Sequence, residues 1–374
     1  MTSPRILATL GAFALLAAAG CSASASGDDP PAQTTAPTDT ASAASTPAED
    51  STSTEAATPD GVLNALEATG PASTATIADI EPVIDGASPS FPTTVTDATG
   101  EEITIDGADR VLSLDLYGTL TDTIVALGLQ ERLVGRANSD LQESLQDLPV
   151  VTQNGHDISI EAVLDLHPDL ILTNTTIGSD TVYDQLEAGG VTVFRFEHTP
   201  SFEGISTTIE AVGAAFGMGE EATTLAEHTQ DELDQALQYV DTLSSATPQE
   251  PRAIALYVRG TAGVFFILGA DYGAADVLDA LNLEDTAAEN GITDINPANA
   301  EALLSLDPEI VLAMEGGVES TGGIDGLLER PGMAATTAGE NRRVITAPDT
   351  QLLAYGPRTP EAVRALGEAI YTEQ

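Results

Sequence analysis

The sequence predicts an α/β protein: two Rossmann-like lobes joined by one long α-helix, preceded by a signal peptide and a disordered tether. Three observations carry that expectation. From about residue 91, apolar strand patterns alternate with helical ones, the signature of a largely parallel sheet covered by helices. A helix-and-strand unit occurs twice, EAVLDLHPDLILT at 161 to 173 matching EALLSLDPEIVLA at 301 to 313 with a constant offset of 140. Between the copies lies GEEATTLAEHTQDELDQALQYVDTL, residues 219 to 243, free of proline and with Leu225, Leu233, Leu237 and Val240 at helical spacing.

The first element is a charged start at Arg5, an apolar run from Ile6 to Ala19, and then Gly20 and Cys21. The run is too short to span a bilayer comfortably and has the shape of a secretory signal. Because Ala18, Ala19 and Gly20 lead straight into Cys21, the stretch resembles a bacterial lipoprotein signal. That resemblance implies a signal peptide over 1–20 and a lipid on Cys21 that anchors the protein to the outer face of the cell membrane. Cys21 is the only cysteine, which excludes an intramolecular disulfide and thiolate metal sites.

Residues 21–90 follow as the tether: Ala, Ser, Thr, Pro and acids without a single base, too poor in aromatics to bury a core. A short amphipathic patch around Val62 to Leu66 is assigned no function. The chain contains no lysine, and its formal charge is −47. Such a surface repels nucleic acid and anionic lipid, so neither is expected as a direct partner. The same acidity suggests a habitat of high salt, where repulsion is screened.

The N-terminal lobe is expected over 91–205. RVLSLDL (110 to 116) reads as a buried strand and TLTDTIVALGL (119 to 129) as the helix after it, with RLVGR, DLILT and VTVFRF as further strands. In the repeat, Ser159 or Asn299 caps the helix, and Pro168 or Pro308 ends it before the strand. Linking helices occupy 206–247. At 1.5 Å per residue the long one would run roughly 37 Å, a stiff connection. The C-terminal lobe takes 248–374.

Three stretches, GHDISIEAVLDLHPDLIL, ALYVRGTAGVFFILG and LLAYGPRTPEAV, together resemble the substrate-binding proteins of ABC importers whose lobes are joined by one helix and which carry siderophores, cobalamin or haem. Among these the resemblance is to the hemin-binding lipoproteins of the HmuT type found in actinobacteria, and it covers about residues 91 to 374. The first stretch marks only the broad group, whereas the second and third make the haem reading distinctive. The resemblance implies haem as transported cargo, an ABC permease and its ATPase as partners, no catalysed reaction, and a monomer.

Ligands of α/β lobes bind beyond the carboxyl ends of the strands, so the site is expected between the lobes. In AIALYVRG, strand alternation puts Ile254, Leu256 and Val258 on one face and Ala255, Tyr257 and Arg259 on the other. The Arg259 guanidinium is expected to donate to the Tyr257 oxygen and favour its phenolate, a hard donor suited to ferric iron. His156 from the first lobe and Tyr257 from the second are the expected axial ligands, as the resemblance also implies. Taken singly, His156 reads as a solvated or capping loop residue, Tyr257 as a packed strand aromatic, and Arg259 as the partner of a surface acid.

His198, after VTVFRF, is the rival ligand, whereas His167 and His228 read as exposed polar residues. Met314, at the end of the second repeat's strand, is expected against the porphyrin or near its iron. Arg136 and Arg358 are expected at the haem propionates, and one of Phe265 and Phe266 on the porphyrin face. Glu143 and Asp276 are the expected permease-docking acids.

A siderophore or corrinoid carrier of the same architecture stands as the alternative. A hydrolase would need a G-x-S-x-G elbow, an H-E-x-x-H helix or a Walker loop, and the sequence has none of them. A tethered adhesin would bind a macromolecule and leave hemin spectra unchanged.

Overall fold

The structure, a computed structural model, describes residues 61–86, 88–153, 157–260 and 263–373. The signal segment, Cys21 and His156 lie outside the described residues. The segment 61–86 carries β1 (Ala72–Ser73), and a hairpin of β2 (Thr93–Thr96) and β3 (Glu102–Ile105) follows. The N-terminal lobe continues with β4 (Val111–Leu114), α1 (Thr119–Ala126), the antiparallel pair β5 (Thr152–Gln153) and β6 (Asp157–Ile158), α2 (Ile160–Asp165), β7 (Leu170–Thr173), α3 (Asp180–Ala188) and β8 (Thr192–Arg195). Strands β4, β7 and β8 form a parallel sheet in that order, and every residue of β4 and β7 is buried. Such strands carry continuous apolar runs because helices cover both of their faces.

Two helices, α4 (Phe202–Ala215) and α5 (Gly219–Ser244), lead to the second lobe. There β9 (Arg252–Arg259) and β10 (Val264–Leu268) pair antiparallel, followed by α6 (Ala274–Ala280), β11 (Glu284–Asp285), α7 (Thr286–Glu289), β12 (Asn296–Pro297) and α8 (Ala300–Leu306). Then come β13 (Ile310–Met314), α9 (Glu315–Ser320), α10 (Gly323–Leu328), α11 (Thr337–Asn341), β14 (Val344–Ala347), α12 (Asp349–Leu352) and α13 (Thr359–Tyr371). The sheet order is β1-β14-β13-β9-β10-β12, parallel from β1 to β9, with β11 also paired to β9.

The repeat is realised in three dimensions. The Ser159 hydroxyl accepts from the Ala162 N–H at 3.3 Å, and the Asn299 side chain from the Ala302 N–H at 3.0 Å. At the other end, His167 and Asp307 both take positive φ, 47° and 38°, just before their prolines. Proline disfavours the right-handed helical region for the residue ahead of it, so both helices stop there. His167 is exposed, with Nδ1 2.9 Å from the Asp165 carbonyl, and His228 is exposed on α5.

The long helix buries Ala222, Leu225, Ala226, Thr229, Leu233, Ala236, Val240 and Leu243, a stripe at spacings of three and four. It packs against α4 on one side and α13 on the other. Gly213 on α4 sets the closeness of the first contact: a Cβ there would lie 2.2 Å from the Ala222 Cβ and 3.0 Å from the Met218 carbonyl. Helix propensity favours alanine over glycine by about 1 kcal/mol. Overpacking of this kind costs about 1–3 kcal/mol, so Gly213→Ala should lower the urea midpoint. A raised midpoint would show the contact to be loose.

Two expectations are corrected here. RLVGR forms no strand; Leu133 and Arg136 make single bridges to Val111 and Val150. At Gly135 the backbone passes so close to the lobe that a Cβ would meet Leu166 at 2.6 Å and Leu112 at 2.9 Å. The disordered tether does not reach residue 90. Ala65 is buried, the Leu63 N–H donates to the Tyr371 carbonyl at 2.8 Å, and β1 pairs with β14. Further on, the Asp79 carboxylate accepts from the Glu143 and Ser144 N–H groups at 2.8 and 2.6 Å, and the Val83 N–H reaches the Ala126 carbonyl at 2.9 Å. The segment thus touches first one lobe and then the other. Composition hid this because apolar residues set among the small and acidic ones, Val62, Ala65, Ala72, Ile80 and Ile84, pack on the core, while backbone hydrogen bonds, which need no apolar side chains, supply further contacts.

Candidate functional site

Between the lobes lies a cavity of about 850 Å³, within the usual range for a small-molecule site. The N-terminal lobe supplies Leu116, Tyr117, Asn138, Ser139 and Leu141 from the loops after β4 and before β5. The C-terminal lobe supplies Tyr257 and Arg259 from β9, Leu268 from β10, Met314 from β13, and Glu315, Gly316 and Glu319 from α9. Tyr272, Ile295, Pro348, Asp349, Thr350 and Leu353 complete the described part of that wall. The sheet explains why Tyr257 arrives here. Ile254, Leu256 and Val258 enter one buried cluster, whereas Ala255 and the partly buried Tyr257 join the cluster on the opposite face, as the period of a strand requires.

Arg259 does not donate to the Tyr257 oxygen as expected. Its guanidinium carbon lies 5.1 Å from the Tyr257 ring centroid, over the face. One terminal nitrogen is ion-paired with the Asp349 carboxylate, and the same nitrogen lies 3.8 Å from the Met314 sulfur. Side chains two residues apart on a strand stand side by side, so the guanidinium folds across the ring while an acid on α12 holds its far end. The space for this comes from α9: a Cβ at Gly317 would sit 2.5 Å from Arg259 Nη1 and from the Val258 carbonyl. At Gly316 a Cβ would lie 3.5 Å from Asp349 Oδ1. Sequence reasoning missed Asp349 and the glycine pair, although EGGVES directly after a repeat strand was the available signal.

Arg136 and Arg358 do not line the cavity. Arg136 donates to the Gln146 side chain at 2.8 Å and lies against the Ala137 and Asp140 carbonyls. Arg358 reaches the Ala78 carbonyl at 2.7 Å and so clasps the N-terminal segment. Phe265 is buried in the outer cluster of the second lobe, with the Arg330 guanidinium 5.5 Å from its ring centroid. Phe266 is paired with Tyr257 across the strands and shares its face. Asp276 accepts from the Phe202 N–H at 2.6 Å, at the start of α4, and Glu143 is exposed.

His198 stacks beside Tyr117, ring centroids 6.2 Å apart at 19°. It occupies a recess that Tyr117 and Leu353 share with the cavity, and is not itself part of the cavity lining. Burial lowers its pKa. Burial, reinforced by Tyr257 and Asp115, pushes Tyr117 up to about 12, so its hydroxyl stays a donor.

Behind the N-terminal wall sits a group of buried acids that sequence reasoning left unassigned. Asp115, Asp122 and Asp140 are at most 6 % exposed. Asp115 accepts from the Leu120 N–H at 2.9 Å and so turns the chain from β4 into α1 behind Tyr117. Asp140 accepts from the Ala137 N–H at 2.8 Å, and Gln142 donates to Asp122 at 2.7 Å. Burial, the largest cause in each case, raises the three to about 6, 8 and 7 respectively. Their hydrogen bonds fix the loops that present Tyr117, Asn138 and Ser139.

Comparison with known proteins agrees with this architecture. A crystal structure of the heme-binding protein HmuT matches with 42 % identity and a TM-score of 0.80, covering 83 % of this chain and all of that one. That protein has also been solved as alanine variants of a histidine, a tyrosine, and an arginine two positions after the tyrosine. The uncharacterized ABC transporter substrate-binding lipoprotein YvrC of Bacillus subtilis is 25 % identical over 286 residues, 76 % of this chain and 87 % of YvrC. A cobalamin-binding protein of Halobacterium salinarum is 26 % identical over 233 residues, 60 % of this chain and 58 % of that one. Residues 116–350 match the family described as periplasmic binding protein. Two lobes, a cleft between them, and a match over most of the chain make it a member of the periplasmic binding protein family, whose members bind and hand over substrates rather than transform them.

Proposed function

We propose that the protein captures haem outside the cell, holds it between its lobes and delivers it to an ABC permease and its ATPase, with Cys21 carrying the lipid that keeps it at the membrane. The observation that carries the reading is Tyr257: a half-buried phenol at a strand end, in a cavity walled by Leu116, Leu141, Leu268, Ile295 and Met314. A phenolate is an established haem ligand and the apolar walls suit a flat macrocycle. The spacing of Tyr257 and Arg259 equals that of the tyrosine and arginine replaced in the HmuT variants. His156 is the proposed second ligand; Thr152, shortly before it, donates to Asn138 in the cavity wall at 2.7 Å.

The charge in the cavity decides how such a cargo would lie. Arg259, the one arginine among the described lining residues, is paired with Asp349, and Glu315 and Glu319 stand on the same wall. Propionates are therefore directed to Asn138, Ser139 or solvent, in place of the two arginines expected from sequence. The test is a titration of the delipidated protein with hemin, and separately with cobalamin. A Soret band saturating at one equivalent is expected, and no hemin spectrum together with cobalamin binding would overturn the haem reading in favour of a corrinoid. Raising salt from about 0.1 M to about 1 M shortens the Debye length from roughly 10 Å to 3 Å. Hemin affinity should then rise severalfold, as repulsion between propionates and the acidic wall is screened; a fall would mean that a cation receives them.

A further inference from the structure

We infer that Arg358 is a positioning residue for the cleft: it clasps residues 74–80, a strap between the lobes, and so sets how far the two cavity walls can part. The inference goes beyond the haem reading, because it concerns the lobes whatever the cargo. The strap has a foot in each lobe. On the C-terminal side the Thr74 N–H donates to the Thr346 carbonyl at 2.9 Å, and the Thr74 hydroxyl to Gln351 at 3.1 Å. Pro348, Asp349 and Thr350 of the cavity wall lie between those two partners in the chain. On the N-terminal side the Asp79 carboxylate accepts from the Glu143 and Ser144 N–H groups, and the Ile80 N–H donates to the Gln142 side chain at 3.2 Å. Leu141 of the opposite wall directly precedes these partners. Between the feet, the Arg358 guanidinium of the C-terminal lobe donates to the Ala78 carbonyl at 2.7 Å and to that of Ile77 at 3.3 Å.

Chain length gives the clasp its effect. Extended, the stretch from Thr74 to Asp79 reaches roughly 17 Å, whereas from a pinned Ala78 to Asp79 only roughly 4 Å is left to bridge the lobes. A clasped strap therefore gives the walls little room to separate, and an unclasped one several times more. Restricted opening acts on the escape of a bound cargo, so it is read in the dissociation rate.

The experiment uses the full chain with Cys21→Ser, spin-labelled at Glu161→Cys and Glu301→Cys, exposed positions on the equivalent helices α2 and α8. Arg358→Gln should broaden the distance distribution between the labels and extend it by about 5 Å or more, out of roughly 13 Å of added reach. Two glycines inserted between Ala78 and Asp79 keep every side chain of the strap and should have the same effect. The same insertion between Thr74 and Ala75, beyond the clasp, should leave the wild-type distribution, as should Glu81→Gln. In hemin-loaded protein, transfer to excess apomyoglobin should be severalfold faster in Arg358→Gln and in the insertion after Ala78. Wild-type distances in either of these two proteins, with wild-type circular dichroism, overturn the inference. So do an insertion after Thr74 that opens the lobes equally, and wider lobes with unchanged hemin transfer. If Arg358→Gln does not fold, the two insertions decide by the same distances. A wild type with no Soret band sinks the haem reading alone and leaves the distance test standing.

Discussion

Tyr257→Phe should lose hemin affinity by about 100-fold or more while leaving the fold intact. Phenylalanine keeps the ring, its pairing opposite Phe266 and the surface under the Arg259 guanidinium. Only the oxygen is removed. Losing a mere outer partner of a metal ligand costs about 10–100-fold, so losing the ligand itself should cost at least the upper end of that range. Hemin titration followed at the Soret band gives the affinity, and far-ultraviolet circular dichroism the fold. Loss of the phenolate charge-transfer band should accompany the weaker binding. His156→Ala should shift the Soret band and weaken binding, whereas His198→Ala should change neither, since Tyr117 and Leu353 stand between its recess and the cavity. A Tyr257→Phe protein with wild-type affinity and spectrum would remove the tyrosine from the metal.

The second large effect is on stability against pH. Asp115, Asp122 and Asp140 have ordinary values near 3.8, raised in the fold to about 6, 8 and 7. Above about pH 4 the unfolded chain has released these protons, while the native state gives them up only in turn, near pH 6, 7 and 8. Stability therefore falls as pH rises through that window, and the cost is complete above pH 8. The melting temperature should be higher at pH 5 than at pH 8, opposite in sign to proteins whose carboxylates are salt-bridged. Relief of repulsion in a chain of formal charge −47 acts in the same direction. Asp122→Asn separates the two. It keeps an acceptor for Gln142 and removes the charge, so it should stabilise the protein at pH 8 by about 2 kcal/mol, the worth of one to two pKa units. It should also flatten the pH slope. An Asp122→Asn protein less stable at pH 8 would mean that the carboxylate is held ionised by Arg358.

The lobes and the helix between them were legible because each rests on local periodicity. The repeat at an offset of 140 carried its own caps and stops, and Ser159, Asn299, His167 and Asp307 fill corresponding roles. Tyr257 and Arg259 were legible for a like reason, since a strand of known direction fixes which side chains share a face. Asp349 was not, because it meets Arg259 from 90 positions away and no local pattern marks it. The buried acids escaped for the opposite reason: Asp115 and Asp122 end a strand and open a helix, and Asp140 lies in a loop, all places where an acid is assumed to face water. Arg136 and Arg358 were drawn to the propionates by scarcity of cations, yet carbonyl groups of the fold claim both.

The two-residue strand β1 has a practical meaning for anyone shortening this chain. Among the described residues it is the sole strand on the outer side of β14 in the sheet. A truncation beginning after residue 86 would strip it away and bare a row of amide and carbonyl groups. Another molecule could then add a strand of its own, so the trimmed protein should be prone to self-association.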